Sequence, residues 1–179
     1  MKIQAEHTYQ LLKRLKRIQD LSQKIPLKNS LFPNGNNASV ILYHVAEATK
    51  FWLQRILDVP GYRDNYTRLR EFYFIPDKVS NAELDRFLDL KEPDKTRALD
   101  KEFEKAVHSF SKISSSLDEA IALIKQVNQS EVSLNRKVDL QGLTSSVGEN
   151  CDVAKILIHV YGHAMYHGAQ LEAILKMTN

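Results

Sequence analysis

One cysteine among 179 residues excludes an internal disulfide framework and fits a reducing compartment. Glycine and proline are nearly as scarce, at 6 and 5, which excludes a turn-rich or low-complexity chain and leaves the profile of a helix-rich globular protein. Long apolar runs are missing as well. No stretch reaches the length that crosses a bilayer, and the opening MKIQAEHTYQ lacks the apolar core of a secretion signal, so a cytoplasmic protein is expected. Neither sign of charge dominates: 25 basic and 22 acidic residues are intermingled for a net charge of +3, too weak a field to draw nucleic acid or an anionic membrane. The densest basic stretch, LKRLKR at residues 12–17, points Lys13, Arg14, Lys16 and Arg17 away from the stripe of Leu11, Leu15 and Ile18, and reads as a solvated face.

What the chain does have is length enough to bury a core without staples, and it is read as one domain over 1–179. Apolar residues recur at spacings of three and four, with no sustained two-residue alternation, so the expected fold is all-α. A first helix is predicted from about Ile3 to Lys24, with Leu11, Leu15, Ile18 and Ile25 inward and a stop before Pro26. A second runs from about Ser39, capped by Asn37 or Ser39, to about Val59, with Ile41, Val45, Ala48, Trp52 and Ile56 inward. Residues 61–93 read as a long crossover in which NAELDRFLDL can form a short helix. A third helix follows the seam Leu99, Phe103, Val107, Phe110, Ile113, Leu117, Ile121 and Ile124. After a second long connection, from about Gln129 to Asn150, the last helix runs from about Asp152 nearly to the end. Four helices with two long crossover connections predict a four-helix bundle with some parallel neighbours. No internal repeat is evident.

The chain owns six histidines, and three of them, His159, His163 and His167, follow one another at helical spacing in HVYGHAMYHGAQLEA. On a wheel of about 100° per residue, His167 falls inside the apolar arc of the last helix, His163 at its border beside Gln170, and His159 further along the flank. His44 occupies the same border on the second helix. A single histidine at such an edge is ordinarily bonded to water or a carbonyl. A pair at i and i+4 can reach one cation with bonds of about 2.0–2.1 Å. With His44 as a third nitrogen, the composition is that of a three-histidine site with room for water or substrate. The spacing in HAMYH is that of zinc peptidases, but Ala164 stands where their glutamate would, and no other base is identifiable for a metal-dependent hydrolase. Cys151, near the start of the last helix and about 18 Å along its axis from His163, reads as an ordinary thiol.

The combination of HVAEATKFWLQRIL from His44 onward with the terminal HVYGHAMYHGAQLEAIL resembles the DinB-like (YfiT-like) superfamily of metal-binding four-helix bundles, over essentially the whole chain. The resemblance implies metal ligands at His44, His163 and His167, a divalent zinc or nickel ion, and homodimers. It also implies transfer of a low-molecular-weight thiol, the chain acting as a metal-dependent thiol transferase. Members often read H-R-G-Q after the final ligand; here His167-Gly168-Ala169-Gln170 keeps the glutamine and loses the arginine, which predicts a looser helix around Gly168. Glu47, Gln170, Tyr166 and His159 are candidates to orient the imidazoles or a substrate. Arg55 can receive a substrate carboxylate, with a surface ion pair as its simpler fate. The alternative to an enzyme is a non-catalytic, stress-related dimeric bundle in which the same histidines staple two helices together.

Overall fold

The computed structural model describes residues 3–32, 36–58, 80–88, 109–138 and 151–178. Its elements are α1 (Ile3–Ser22), α2 (Ala38–Leu57), α3 (Asn81–Leu88), α4 (Phe110–Gln129) and α5 (Val153–Thr178). Among the described residues the only extended pairings are two isolated bridges, Ser30 with Asn37 and Lys137 with Asp152, so the fold is all-α as the periodicity predicts. The first helix ends slightly early because the amides of Lys24 and Ile25 both turn back to the Leu21 carbonyl before Pro26. α3 is the short helix expected inside 61–93, held by a reciprocal box in which Glu83 accepts from the Ser80 amide (2.8 Å) and Ser80 Oγ accepts from the Glu83 amide (3.3 Å).

The third predicted helix needs correction. Ser109 is a non-helical cap (φ −67°, ψ 149°) whose side chain accepts from the Lys112 amide, so α4 begins at Phe110. Leu99, Phe103 and Val107 lie outside the described residues. Phe110 itself is 45% exposed, because it sits in the first turn, before the seam reaches the core at Ile113, Leu117, Ile121 and Ile124, all buried.

α2 and α5 begin in the same way. At α2, the amides of Ala38 and Ser39 donate to the carbonyls of Asn29 and Leu27, and Asn37 Oδ1 accepts from the Val40 amide. At α5, the amides of Val153 and Ala154 donate to the carbonyls of Arg136 and Leu134, and Asp152 Oδ1 accepts from the Lys155 amide. Each start therefore satisfies three of the four amides that a helix leaves unpaired. Each bridge pairs the cap residue with the chain leaving the preceding 20-residue helix. Behind the two caps, Ile41-Leu42-Tyr43-His44-Val45 is matched by Ile156-Leu157-Ile158-His159-Val160 at the same distance. The molecule thus contains a helix–clip–helix unit twice. The repeat is hidden in the sequence because the two copies share little beyond these positions and the spacing of their core residues.

One core unites the four long helices. α2 packs on α4 and α5, and α1 packs on the same two. Cross-helix contacts give the directions. Thr8 with Asn128 and Gln19 with Asp118 run α1 against α4, while Glu47 with Ser116 and Lys50 with Glu119 run α2 along α4. His44 beside His163 and His167, with Trp52 beside His159, run α2 against α5. It follows that α1 and α5 are parallel. α2 is buried on nearly every side, beyond the single stripe expected, since it lies between two long helices. Its end is closed by Asp58 in the left-handed region (φ 52°), and Arg136 donates to the Ile56 carbonyl.

The caps make a direct prediction. Asn37→Ala and Asp152→Ala are each expected to lower stability by about 1 kcal/mol, or about 2–4 °C in Tm for a chain of this size. Thermal melts of the two single variants and the double variant check this, with near-additive losses expected because the sites are separate.

Candidate metal centre

The seam between α2 and α5 is where the histidines meet. At one level the rings of His44 and His167 stand edge to face with centroids 5.0 Å apart. At the other, Trp52 and His159 stand in the same relation at 5.4 Å. Between the two levels the register places Ala48 on α2 across from His163 on α5. His163 leans to the His44 side, with ring centroids 4.8 Å apart and the two Nε2 atoms at 2.9 Å, an N–H···N hydrogen bond in which one imidazole donates and the other accepts. One nitrogen from each of His44, His163 and His167 can be chosen so that all lie within 4.8 Å of one another. In terms of the repeat, Trp52 and Ala48 fill the places in the first copy that His167 and His163 fill in the second. The arrangement therefore builds one three-histidine cluster.

All three rings are half-buried, and burial sets their electrostatics. Loss of water, reinforced by the neighbouring imidazoles of His44, His167 and His159, pushes the pKa of His163 down to about 2. His167 is also pushed down by burial, partly opposed by its hydrogen bond to Gln170. That bond runs between His167 Nδ1 and Gln170 Oε1 at 2.7 Å. Because the amide oxygen can only accept, Nδ1 carries the proton and Nε2 is left as the ring's lone-pair donor. Of the residues expected to support the site, Gln170 is therefore placed on one ring of the cluster.

The other candidates separate. Tyr166 is 62% exposed with its ring edge-on to His167 at 5.0 Å, at the rim of the cluster. His159 stacks behind His163 at 6.2 Å and, like the other two, is held toward neutrality by burial. Glu47 is buried and engaged by Ser116 Oγ and by Lys50 Nζ at 2.7 Å, tying α2 to α4. Arg55 is not at the surface: it is 1% exposed with its guanidinium over the Phe51 ring at 4.1 Å, because α2 is enclosed on that side. Cys151 is buried, burial and the Asp152 charge raise its pKa, and its Sγ faces the Asp152 carbonyl at 3.6 Å, an inert setting for a thiol. Nor is the helix around Gly168 without support, since the side chain of Arg14 from α1 lies against that glycine. Arg14 belongs to the basic stretch read as solvated, yet its side chain is only 14% exposed. Helical spacing alone gives no sign of this, because it cannot show which neighbour a long cationic side chain reaches.

The donor set fits a divalent cation. Two ligand nitrogens on a tetrahedral ion with bonds of 2.0–2.1 Å lie about 3.3 Å apart, so the His44 and His163 nitrogens, at 2.9 Å, need part by a few tenths of an ångström, and nitrogens of the group as much as 4.8 Å apart draw together on one ion. Burial holds His163 and His167 toward the neutral form that ligands need, and His167 has its outer nitrogen already satisfied by Gln170. Comparison with protein-family models, curated proteins and solved structures gives no match to this chain, and the reading rests on the geometry.

The depressed pKa values predict an acid-sensitive apoprotein. The folded chain keeps His163 neutral while the unfolded chain takes up a proton near the ordinary imidazole value of 6.5. The stability this ring contributes is intact above that pH and is lost progressively as the pH falls toward about 2. Melts of the metal-free protein are expected to show Tm declining below pH 6.5, and a His163→Gln variant is expected to show a shallower decline over the same range.

Proposed function

We propose that the chain is a divalent-metal protein of the DinB-like kind, a four-helix bundle with two long crossover connections. His44, His163 and His167 hold one zinc or nickel ion, and the site activates a low-molecular-weight thiol for transfer. The observation that carries this reading is the convergence of three imidazoles from two helices, with ligand atoms within 4.8 Å of one another. A cation held by three neutral ligands supplies uncompensated positive charge, which favours a thiolate over a thiol of ordinary pKa about 8.5. The chain's residues do the rest. Gln170 holds the tautomer of His167, and the half-buried seam limits water around the cluster. Lys50 balances the charge of Glu47 at 2.7 Å, so that carboxylate does not neutralise the site. The group contains no carboxylate among the described residues, which leaves a hydrolase reading without its base.

A second reading is favoured by a separate observation. The ligands join α2 to α5, the second helices of the two repeated units, so a cation there would staple the two halves together, and binding only the folded form would stabilise it. In both readings the protein is a cytoplasmic homodimer.

Metal analysis of the purified protein and a cobalt titration test the proposal. One equivalent per chain is expected in the wild type, with His44→Ala losing most of it. A small thiol is expected to shift the cobalt absorption bands. Unchanged bands leave only the staple; unchanged binding in His44→Ala removes helix α2 from the site and overturns both readings.

A further inference from the structure

α1 carries none of the three ligands, yet one of its side chains grips the turn of α5 that carries two of them. A Cβ added at Gly168 would meet Arg14 Nη2 at 2.2 Å and its Cζ and Nε at 2.6 Å, so the guanidinium occupies the space that only a glycine leaves. From there Nε donates to the Ala164 carbonyl at 3.4 Å, Nη2 to the Met165 carbonyl at 3.3 Å, and Nη1 to Glu172 Oε1 at 3.3 Å. Each contact is long, but together they spread one rigid fork over three acceptors, two on adjacent residues of one turn and the third about two turns further on. The two carbonyls are those that accept the helix's own bonds from the amides of residues 168 and 169. Each ligand on α5 stands immediately before a gripped position: His163 before Ala164, His167 before Gly168. Ala164 and Gly168 are both buried. α5 is therefore held by α1 where it offers both imidazoles to α2.

We propose that Arg14, seated on Gly168, is a positioning residue of the three-histidine site, fixing the rotation of the His163–His167 turn before any cation arrives. This rests on the metal reading above. Ligand constellations tolerate displacements of only about 0.5 Å, and a lysine, a single-point donor on a flexible stem, cannot reproduce the fork. Gly168→Ala is the informative change. Alanine is the better helix former, and the atoms it meets are the end of a flexible side chain, so the variant is expected to fold with Arg14 displaced.

The test is cobalt titration with absorption spectra on the wild type, Arg14→Ala, Arg14→Lys and Gly168→Ala. Val127→Ala, a buried change in α4, serves as a stability control, with folding monitored by circular dichroism. The Arg14 and Gly168 variants are expected to bind cobalt about 10–100-fold more weakly with shifted bands. Val127→Ala is expected to lose thermal stability at unchanged cobalt affinity. Arg14→Ala and Gly168→Ala with wild-type affinity and bands, whatever their Tm, would overturn this inference and leave the metal reading standing. A wild type that takes up no cobalt overturns both.

Discussion

Three imidazoles share a half-buried space between two antiparallel helices, and what their nitrogens face in that space is the constraint on which the rest depends. A polar ring taken out of water costs free energy unless it finds a partner, about 1–3 kcal/mol when it does not. Here the partners are the rings themselves and Gln170: His44 and His163 meet at 2.9 Å, and His167 bonds Gln170 at 2.7 Å. Desolvation keeps His163 and His167 neutral. Rings already gathered in this way would gain from a cation in place of the His44–His163 N–H···N contact, the proton of that contact moving to the outer Nδ1 of its ring.

Holding such a cluster requires rigid supports, and the structure supplies them at the helix starts. α2 and α5 leave paired bridges with their first amides bonded to preceding carbonyls and the next amide bonded to the cap side chain of Asn37 or Asp152. Each helix is thus anchored at the end from which its histidines are counted. The duplication also accounts for the placement of the unused histidine. His159 is the counterpart of His44, but the position facing it carries Trp52, a ring with no lone pair to offer a metal. The same architecture thus holds a metal-competent level and an apolar one, separated by two turns of helix.

Much of this was legible in the sequence. The all-α class, the approximate extents of α1, α2 and α5, the core faces of α1 and α5, and the placing of His44 and His163 at the edge of the buried stripe and of His167 within it follow from spacings of three and four together with cap and proline signals, while the meeting of the three on one site is what the family resemblance implies. The support of Gln170 was legible for the same reason, since it lies three residues from His167 on one helix. What spacing cannot show is which helix a long side chain meets. Arg14 looked solvated because its own helix points it away from the leucine stripe, and its seat on Gly168 depends on how α1 lies against α5. Arg55 looked like a surface cation because the enclosure of α2 on nearly every side is a property of the packed molecule. The start of α4 is hidden in the sequence because an unbroken apolar seam continues through Val107 and Phe110, while Ser109, a strong cap, lies within it.

The central claim is that rings from α2 and α5 close on a single cation. X-ray absorption at the metal edge of the zinc-loaded protein measures this most directly. The account predicts three imidazole nitrogens at about 2.0–2.1 Å, falling to two in His44→Ala. A first shell without three imidazoles, or one that is the same in the wild type and in His44→Ala, would contradict it.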